Sequence, residues 1–334
     1  MLSLKRVLHR TEFYMLIIVV GLAILIQAVS GQFFTGNNLV DLVRSIIIPA
    51  MFCIAEMIVL ISGGIDVSFP AIASLSMYIV SAYMKDFAGS VVVMFLVGAA
   101  LGLVMGILNG YLIAKFSFQP LIITLGTASI FNGILLGVFA AQETPVPQQM
   151  YDLGKTKLFT AANETLGISS DMPVTILFLI VLIVVVWFLM NRTMLGRGIY
   201  GVGGDAVSAK RAGFNVFRTQ MFVYCFSGAI AGFTGITRAV MMTNCQPTNL
   251  AGIEMTCIAA CVLGGVSVTG GKGTITGTMI GITLMTMMSN SLILLGIPTY
   301  WQRVFTGAII LIGTGISAYQ ILKNNKKPNI KVAG

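Results

Sequence analysis

The sequence contains little charge and few residues that could serve catalysis or bind a metal. Only 9% of its 334 residues are charged, against about 25% in a typical soluble domain, so an ordinary soluble domain is excluded. The one histidine, His9, lies in a basic N-terminal tail. No spacing of the five cysteines resembles a zinc site. With no Ser-His-Asp or Cys-His set available, a membrane enzyme is the weakest hypothesis.

The sequence instead contains long continuous runs of apolar residues. Hydrophobic residues make up 57% of the chain and the mean hydropathy is +0.94. Barrel strands alternate apolar and polar residues, so these runs do not indicate a β-barrel. They predict an all-α polytopic membrane protein with one transmembrane domain over residues 1–334. No cleavable signal is evident, because the first run is long enough to span and lacks an A-x-A site.

About twenty apolar residues are needed to cross a bilayer, and ten stretches qualify as candidates. They are 12–30, 39–62, 67–84, 91–115, 119–141, 173–190, 219–243, 254–270, 274–296 and 300–321. The third and eighth are short and contain Gly, Ser or Pro, which predicts broken or tilted helices. Five helices on each side of residue 145 would form halves of opposite orientation, as inverted-repeat transporters have. When the two halves are compared, the only similar segments are GGIDVS at 63–68 and GGVSVTGG at 264–271.

The distribution of cations predicts the orientation, because loops rich in Lys and Arg stay cytoplasmic. With the N-terminus inside, the inside segments hold Lys5, Arg6, Arg10, Lys115, Arg192, Arg197, Lys210, Arg211, Arg218, Lys272, Lys323, Lys326, Lys327 and Lys331. The outside loops hold only Lys85, Lys155 and Lys157. We therefore expect both termini in the cytoplasm, with tails at 1–11 and 322–334. The main external loop is 142–172 and the main cytoplasmic loop is 191–218. The net charge of +9 is a topology signal and does not indicate nucleic-acid binding.

The cytoplasmic loop 191–218 is where a membrane-embedded chain can touch a soluble partner. Asp205 follows Gly203-Gly204 and is suited to cap a short helix. The Gly196-x-Gly198-x-x-Gly201 pattern follows a transmembrane helix rather than a strand, so it does not predict a dinucleotide site. The glycine run around Lys272 lacks the spacing of a phosphate loop, so the chain has no predicted ATPase site. An ordinary solvated loop is the alternative.

Polar residues inside apolar runs are costly in lipid and are candidates for a solute path. They are Glu56, Asp66, Asn109, Thr124, Thr127, Asn132, Arg238, Glu254 and Asn290. The alternative for each is a structural hydrogen bond between helices, and Glu56 and Arg238 could form a buried pair. Glycines four apart, at Gly98–Gly110, Gly133–Gly137, Gly228–Gly232 and Gly273–Gly281, predict close helix packing.

Four stretches carry a resemblance and keep their order along the chain. They are SGGIDVS at 62–68, the NG at 109–110 with PLIITLGT at 120–127, GRGIYGVGG at 196–204 followed by Ala209, Ala212 and Gly213, and VLGG at 262–265 with GGKG at 270–273 and GT at 277–278. Together they resemble the membrane permeases of bacterial ABC importers of the ribose, xylose and galactose type, which include permeases for the autoinducer-2 signal. Pro298, Tyr300, Trp301 and Gln302 also fit, and the resemblance covers about 15–320. Phe69-Pro70 replace the family's usual Val-Gly, and Asp205-Ala206-Val207-Ser208 replace a frequent Glu pair.

The resemblance implies a permease in the bacterial inner membrane that pairs with a second copy or a related permease. It implies that a soluble or lipoprotein binding protein delivers the solute, and that two ATPase subunits, which bind ATP and Mg, engage a coupling helix. No cofactor is expected on this chain itself. The implied coupling residues are Gly196, Arg197, Tyr200, Gly203, Gly204, Asp205, Ala209, Lys210, Arg211, Ala212 and Gly213. The expected pathway residues are Asp66, Asn109, Thr124, Thr127, Asn132, Asn290 and Trp301.

The expected solute is a monosaccharide or similar small polar molecule. The same machine carrying autoinducer-2 or a nucleoside is the first alternative. An ion-coupled secondary transporter is the alternative of another class, and it would work without an ATPase.

Overall fold

The computed structural model describes residues 11–163 and 167–294, together with six single positions between 301 and 315. Twelve helices and four short strands lie in this part of the chain. The helices are α1 Thr11–Ser30, α2 Gly36–Ile61, α3 Phe69–Tyr83, α4 Val91–Phe116, α5 Pro120–Gly137, α6 Gln148–Lys155, α7 Ile176–Arg192, α8 Met194–Gly204, α9 Ala206–Arg211, α10 Val216–Met242, α11 Ile253–Leu263 and α12 Ile275–Leu294. The strands are β1 Thr144–Pro145, β2 Lys157–Asn163, β3 Ile168–Pro173 and β4 Asn244–Cys245.

The bundle is built around α2, which is buried along most of its length. Every residue from Ala50 to Ile61 is fully buried, and α2 contacts α7, α10, α11 and α12. A helix that is apolar on all sides must be covered on all sides when it lies inside a bundle. By contrast, α1, α4, α5 and α7 expose many large apolar side chains, as helices that face lipid do.

The glycine stripe of α4 packs directly against α10, as predicted. A Cβ on Gly102 would lie 2.1 Å from the Gly228 carbonyl oxygen, and one on Gly232 would lie 2.1 Å from the Gly98 carbonyl oxygen. Since these distances are far below van der Waals contact, only glycine lets the two backbones approach so closely. The Gly133 and Gly137 pair differs, because a Cβ at either position would meet nothing within 4 Å.

Five described helices are long and apolar enough to cross a membrane, or six if the bent α7–α8 pair counts as one span. The first seven and the ninth predicted spans have matching helices within a few residues. As predicted, the third and eighth are short: α3 has 15 residues and α11 has 11. The predicted tenth span, 300–321, lies outside the described residues apart from single positions. The count of ten and the position of the termini stay predictions.

The predicted external loop contains regular structure of its own. It carries α6 and the β2–β3 hairpin, while β1 pairs with β4 after α10. The hairpin is fixed to the first turns of α2, where the Ser170 hydroxyl donates to the Asp41 carboxylate over 2.8 Å. Lys157 and Asp171 form an ion pair of 3.2 Å between the two strands.

The segments GGIDVS and GGVSVTGG are both non-helical and both reach the same end of the bundle. The first joins α2 to α3, and the second joins α11 to α12. The Gly271 N–H donates to the Ile61 carbonyl over 2.9 Å, which links the two segments directly. Segments related by inversion would lie at opposite ends, so these two are not inverted counterparts. An inverted repeat stays a prediction without their support.

Candidate functional site

The predicted cytoplasmic loop folds into two short helices, and the first of them, α8, packs across the ends of α2 and α10. α8 meets α7 at 73°, and Thr193 stands at the bend. Its hydroxyl accepts a hydrogen bond from the Gly196 N–H over 3.1 Å and donates to the Leu189 carbonyl over 2.6 Å. A Cβ on Gly196 would lie 2.4 Å from two carbonyl oxygens of α7, so glycine is needed at this corner.

The predicted helix after Asp205 is present as α9. The Asp205 carboxylate caps it by accepting hydrogen bonds from the Ser208 hydroxyl over 2.5 Å and from the Val207 N–H over 3.0 Å. These bonds hold the pKa of Asp205 below its usual range. Among the predicted coupling residues, Ala209 is buried against the loop, while Arg197, Gly204, Asp205, Lys210, Arg211, Ala212 and Gly213 are exposed. Val207, which the sequence analysis missed, is 60% exposed at the tip.

Behind this exposed surface, α8 ends in a junction of three glycine segments. A Cβ on Gly203 would lie 1.7 Å from the Ile61 carbonyl oxygen, and one on Gly270 would lie 2.3 Å from the Gly203 oxygen. Gly63 is also close to Gly203, with its would-be Cβ at 3.6 Å from the Gly203 Cα. We call these residues, Ile61, Gly63, Gly203, Gly270 and Gly271, the glycine junction.

Tyr200 adds a side-chain bond beside the glycine junction. Its hydroxyl donates to the Gly273 carbonyl over 2.9 Å, so α8 is tied to the segment before α12. Gly271 has a φ of +74° and Gly270 a φ of +87°, a region that favours glycine. The loop 191–218 is therefore in direct contact with both non-helical segments, the one that joins α2 to α3 and the one that joins α11 to α12.

Three of the predicted pathway residues, Asp66, Asn109 and Thr124, belong to one buried polar network. The Asp66 carboxylate accepts from the Ser68 hydroxyl over 2.6 Å, and the Asn109 amide donates to that hydroxyl over 2.8 Å. Thr124 donates to the Ile65 carbonyl over 3.2 Å and accepts from the Val67 N–H over 3.3 Å.

These bonds hold the extended segment 62–68 against α4 and α5. They satisfy backbone groups that have no partner within a helix. The alternative interpretation, that these three residues make structural hydrogen bonds between helices, therefore fits them well.

Glu56 joins the same network from α2. Its Oε1 accepts from the Asp66 N–H over 3.3 Å, while its Oε2 is buried with no hydrogen-bond partner. The Tyr224 hydroxyl is also buried without a partner, and a Cβ on Gly64 would lie 2.2 Å from it. Glu56 and Arg238 do not form the buried pair that the sequence left open, because no ion pair or hydrogen bond joins them and Arg238 lines a cavity near the start of α2.

A cavity of about 360 Å³ lies between α3, α5 and the segment before α11. Polar groups of Ser74, Ser129, Asn132, Thr248 and Glu254 line it, together with apolar side chains. A cavity of this size fits a small ligand. Among its described lining residues Glu254 is the one charged group, and its carboxylate accepts from the Gly252 N–H over 3.0 Å.

The remaining predicted pathway residues do not converge on one place. The Thr127 hydroxyl donates to the Thr124 carbonyl over 3.3 Å. Asn132 lines the cavity of about 360 Å³, whereas Asn290 lines a second cavity near the start of α2. Trp301 is 47% exposed. Sequence reasoning missed Ser74, Ser129 and Thr248, because single hydroxyl residues in apolar helices are common and give no signal.

No group of three metal-ligating side chains with suitable geometry occurs among the described residues. Three buried thiols do meet between α2 and α11, but each donates to a backbone carbonyl. Cys53 faces the Cys257 carbonyl at 3.8 Å, Cys257 faces that of Pro49 at 3.7 Å, and Cys261 faces that of Cys53 at 3.4 Å. These cysteines therefore pack two helices together.

Comparison with known proteins places this chain in a family. The family described as "Branched-chain amino acid transport system / permease component" matches residues 38–313. The ribose import permease protein RbsC of Escherichia coli K12 is 30% identical over 312 residues, which is 93% of each chain. The L-arabinose ABC transporter permease protein AraH of Azospirillum brasilense is 30% identical over 90% of this chain and 85% of its own.

The D-allose transport system permease protein AlsC of Escherichia coli K12 is 30% identical over 90% of this chain and 88% of its own. No solved structure matches the chain. The glycine segments at the junction are the same ones that carry the sequence resemblance. The chain therefore belongs to the family of multi-pass transport-system permeases that includes the ribose, L-arabinose and D-allose permeases.

Proposed function

We propose that this chain is the membrane subunit of an ATP-driven importer that moves a monosaccharide into the cell. The observation that carries the proposal is the match, over nine-tenths of the chain, to permeases for ribose, L-arabinose and D-allose. The cavity beside α5 is consistent with such a solute. Its hydroxyl, amide and carboxylate groups suit sugar hydroxyls.

The lining of that cavity favours a sugar over an amino acid, although the family description names amino acid transport. An amino acid carries a carboxylate, which a site normally meets with Arg or Lys. The described lining residues include neither. A neutral polyhydroxy solute brings no charge that needs a counter-ion there, and Glu254 can accept hydrogen bonds from its hydroxyl groups.

We infer that α9 and the exposed end of α8 form the docking surface for an ATPase subunit, which would hold ATP and Mg. The surface is polar, carries Lys210 and Arg211, and presents Val207 as an apolar contact. The glycine junction lies directly behind it. Movement of a docked ATPase would thus displace the GGIDVS and GGVSVTGG segments through direct backbone contacts with α8.

The proposal also includes a second permease copy and a solute-binding protein. On α5, glycine positions 133 and 137 have open space where a Cβ would stand, next to the cavity that Asn132 lines. A second copy packed on α5 would close this face with the small-residue contact that membrane helices use. The binding protein would dock on the hairpin side, and the membrane would be the bacterial inner membrane with both termini cytoplasmic.

Bulky substitutions on the docking surface test the coupling assignment. A Cβ on Gly204 meets nothing within 4 Å and Ala212 is exposed, so Gly204→Trp and Ala212→Trp both place the new side chain at the surface. We expect both variants to insert normally and to lose uptake, because the ring blocks the docked ATPase. Gly204→Ala is the matched control and should transport normally. Uptake at the wild-type rate in both Trp variants would remove the coupling assignment.

A further inference from the structure

A second cavity, of about 490 Å³, lies at the opposite end of α2 from the glycine junction. Arg44 and Arg238 line it together with Asn38, Asp41, Ser45 and Asn290. From Asp41 to Ile61, α2 rises by about 30 Å, so this cavity is separate from the coupling end. It is separate too from the cavity beside α5, with which it shares no lining residue.

Helix geometry directs the charges into this cavity. Asn38, Asp41 and Ser45 are three and four residues apart, so they share one face of α2. Arg238 and Met241 share one face of α10 in the same way. The two helix faces flank the cavity and α12 adds Asn290 from a third side. Two guanidinium groups, the Asp41 carboxylate, two amides and a hydroxyl therefore line one space.

Two acidic groups lie near the arginines, and the Asp41 carboxylate, which lines the cavity itself, leaves the two arginines with one net positive charge. Asp41 accepts from the Ser170 hydroxyl over 2.8 Å. Asp171, close enough to Arg44 to feel its charge, is bound by Lys157 and by the Thr160 hydroxyl. In the described part of the chain no ion pair or hydrogen bond involves the Arg238 guanidinium, although it lies on a membrane-spanning helix and is partly buried.

An unpaired guanidinium at such a position is costly, and its five donors in a planar fork match an oxyanion in geometry and charge. We propose that this cavity is a binding site for an oxyanion of the phosphate type, held by Arg238 and Arg44. The oxyanion could come from a free phosphate compound or from the headgroup of an anionic phospholipid, since the chemistry is the same. The site is distinct from the sugar cavity and does not depend on transport.

The test uses the purified full-length chain in nanodiscs of neutral phosphatidylcholine. Thermal unfolding is followed while inorganic phosphate is added at constant ionic strength with chloride as the reference anion. A second set of nanodiscs contains phosphatidylglycerol, and retained lipid is counted by native mass spectrometry. The variants are Arg238→Gln and Arg44→Gln, and Arg192→Gln, which removes one cation beside Trp187 at the other end of the bundle, is the matched control.

If the site takes a free phosphate compound, phosphate raises the Tm of the wild type. Its half-maximal concentration is then about tenfold or more higher in Arg238→Gln, since a hydrogen bond to a charged group is lost. If the site takes a headgroup, the wild type retains phosphatidylglycerol and both cavity variants lose it. Either result supports the proposal provided that Arg192→Gln behaves as the wild type. If neither phosphate nor phosphatidylglycerol distinguishes the wild type from both cavity variants, the proposal is overturned, and an acidic protein partner becomes the better explanation.

Discussion

Gly203→Ala is a one-methyl change that should uncouple ATP hydrolysis at the docking surface from solute transport. The added Cβ would stand 1.7 Å from the Ile61 carbonyl oxygen and 2.9 Å from the Gly271 nitrogen. Normal carbon–oxygen contact is about 3.3 Å, so the backbones must separate by roughly 1.6 Å. The Gly271 N–H bond to the Ile61 carbonyl, now 2.9 Å, cannot survive that movement.

The cost follows from these two effects. Overpacking of a tight contact costs about 1–3 kcal/mol, and a lost backbone hydrogen bond costs about 0.5–1.5 kcal/mol. The strain falls on the glycine junction and not on the faces that hold the spans together. About 1.4 kcal/mol corresponds to a factor of ten in an equilibrium constant. If this strain disfavours the junction in one transport conformation, we expect uptake to fall by about tenfold or more while the chain still inserts.

The assay compares sugar uptake, ATPase activity and the amount of folded chain in the same membrane vesicles. Gly204→Ala is the control, because it adds the same methyl group one residue later where nothing lies within 4 Å. We expect Gly203→Ala to keep ATP hydrolysis but to lose uptake, and Gly204→Ala to keep both. If Gly203→Ala transports at the wild-type rate with the wild-type amount of protein, the contact between α8 and the broken segments has no part in coupling.

Three further predictions concern packing, the buried network and the helix cap. Gly102→Ala should lower the Tm, because its Cβ would lie 2.1 Å from a carbonyl oxygen of α10. Gly21→Ala is the control and should leave the Tm unchanged, because its Cβ would meet nothing within 4 Å. Equal Tm values in the two variants would refute the close packing of α4 against α10. Glu56→Gln should unfold like the wild type because its amide oxygen still accepts from the Asp66 N–H, whereas Glu56→Leu should lose about 1–3 kcal/mol; equal loss in both would show that the bond is unimportant. The pKa of Asp205 is lowered by its hydrogen bonds, so its cap acts above the usual pKa of about 3.9 and is lost only as the pH falls through the lowered value. Amide protection of α9 should therefore be constant from about pH 8 to 5 and weaker in Asp205→Ala; loss of protection near pH 6 in the wild type would contradict this account.

The helices were predictable because a run of about twenty apolar residues has no stable alternative in lipid. The ends of the helices were harder to predict. The eighth span was predicted to reach residue 270, but α11 ends at Leu263, because Gly265 has a φ of +88° and turns the chain. The elements of the external loop were missed, since strands of two to seven residues carry no periodic signal.

The helix at Asp205 could be predicted because its cap is local, with both acceptor and donors within three residues. The glycine junction could not, since it joins Ile61, Gly203 and Gly271 from distant parts of the chain. The same limit applies to polar residues. Asp66 and Asn109 turned out to share the Ser68 hydroxyl, while Asn290 lies at the other cavity. A polar side chain in an apolar run shows that a partner is needed, but not which partner.

The importer proposal is tested by ATPase activity in lipid, measured on the permease purified together with its ATPase subunit. Binding proteins loaded with candidate sugars are added one at a time. We expect one sugar-loaded binding protein to stimulate ATP hydrolysis and the same protein without sugar to stimulate it less. The account would be contradicted if no ATPase associates with the chain and the chain alone moves solute down an ion gradient.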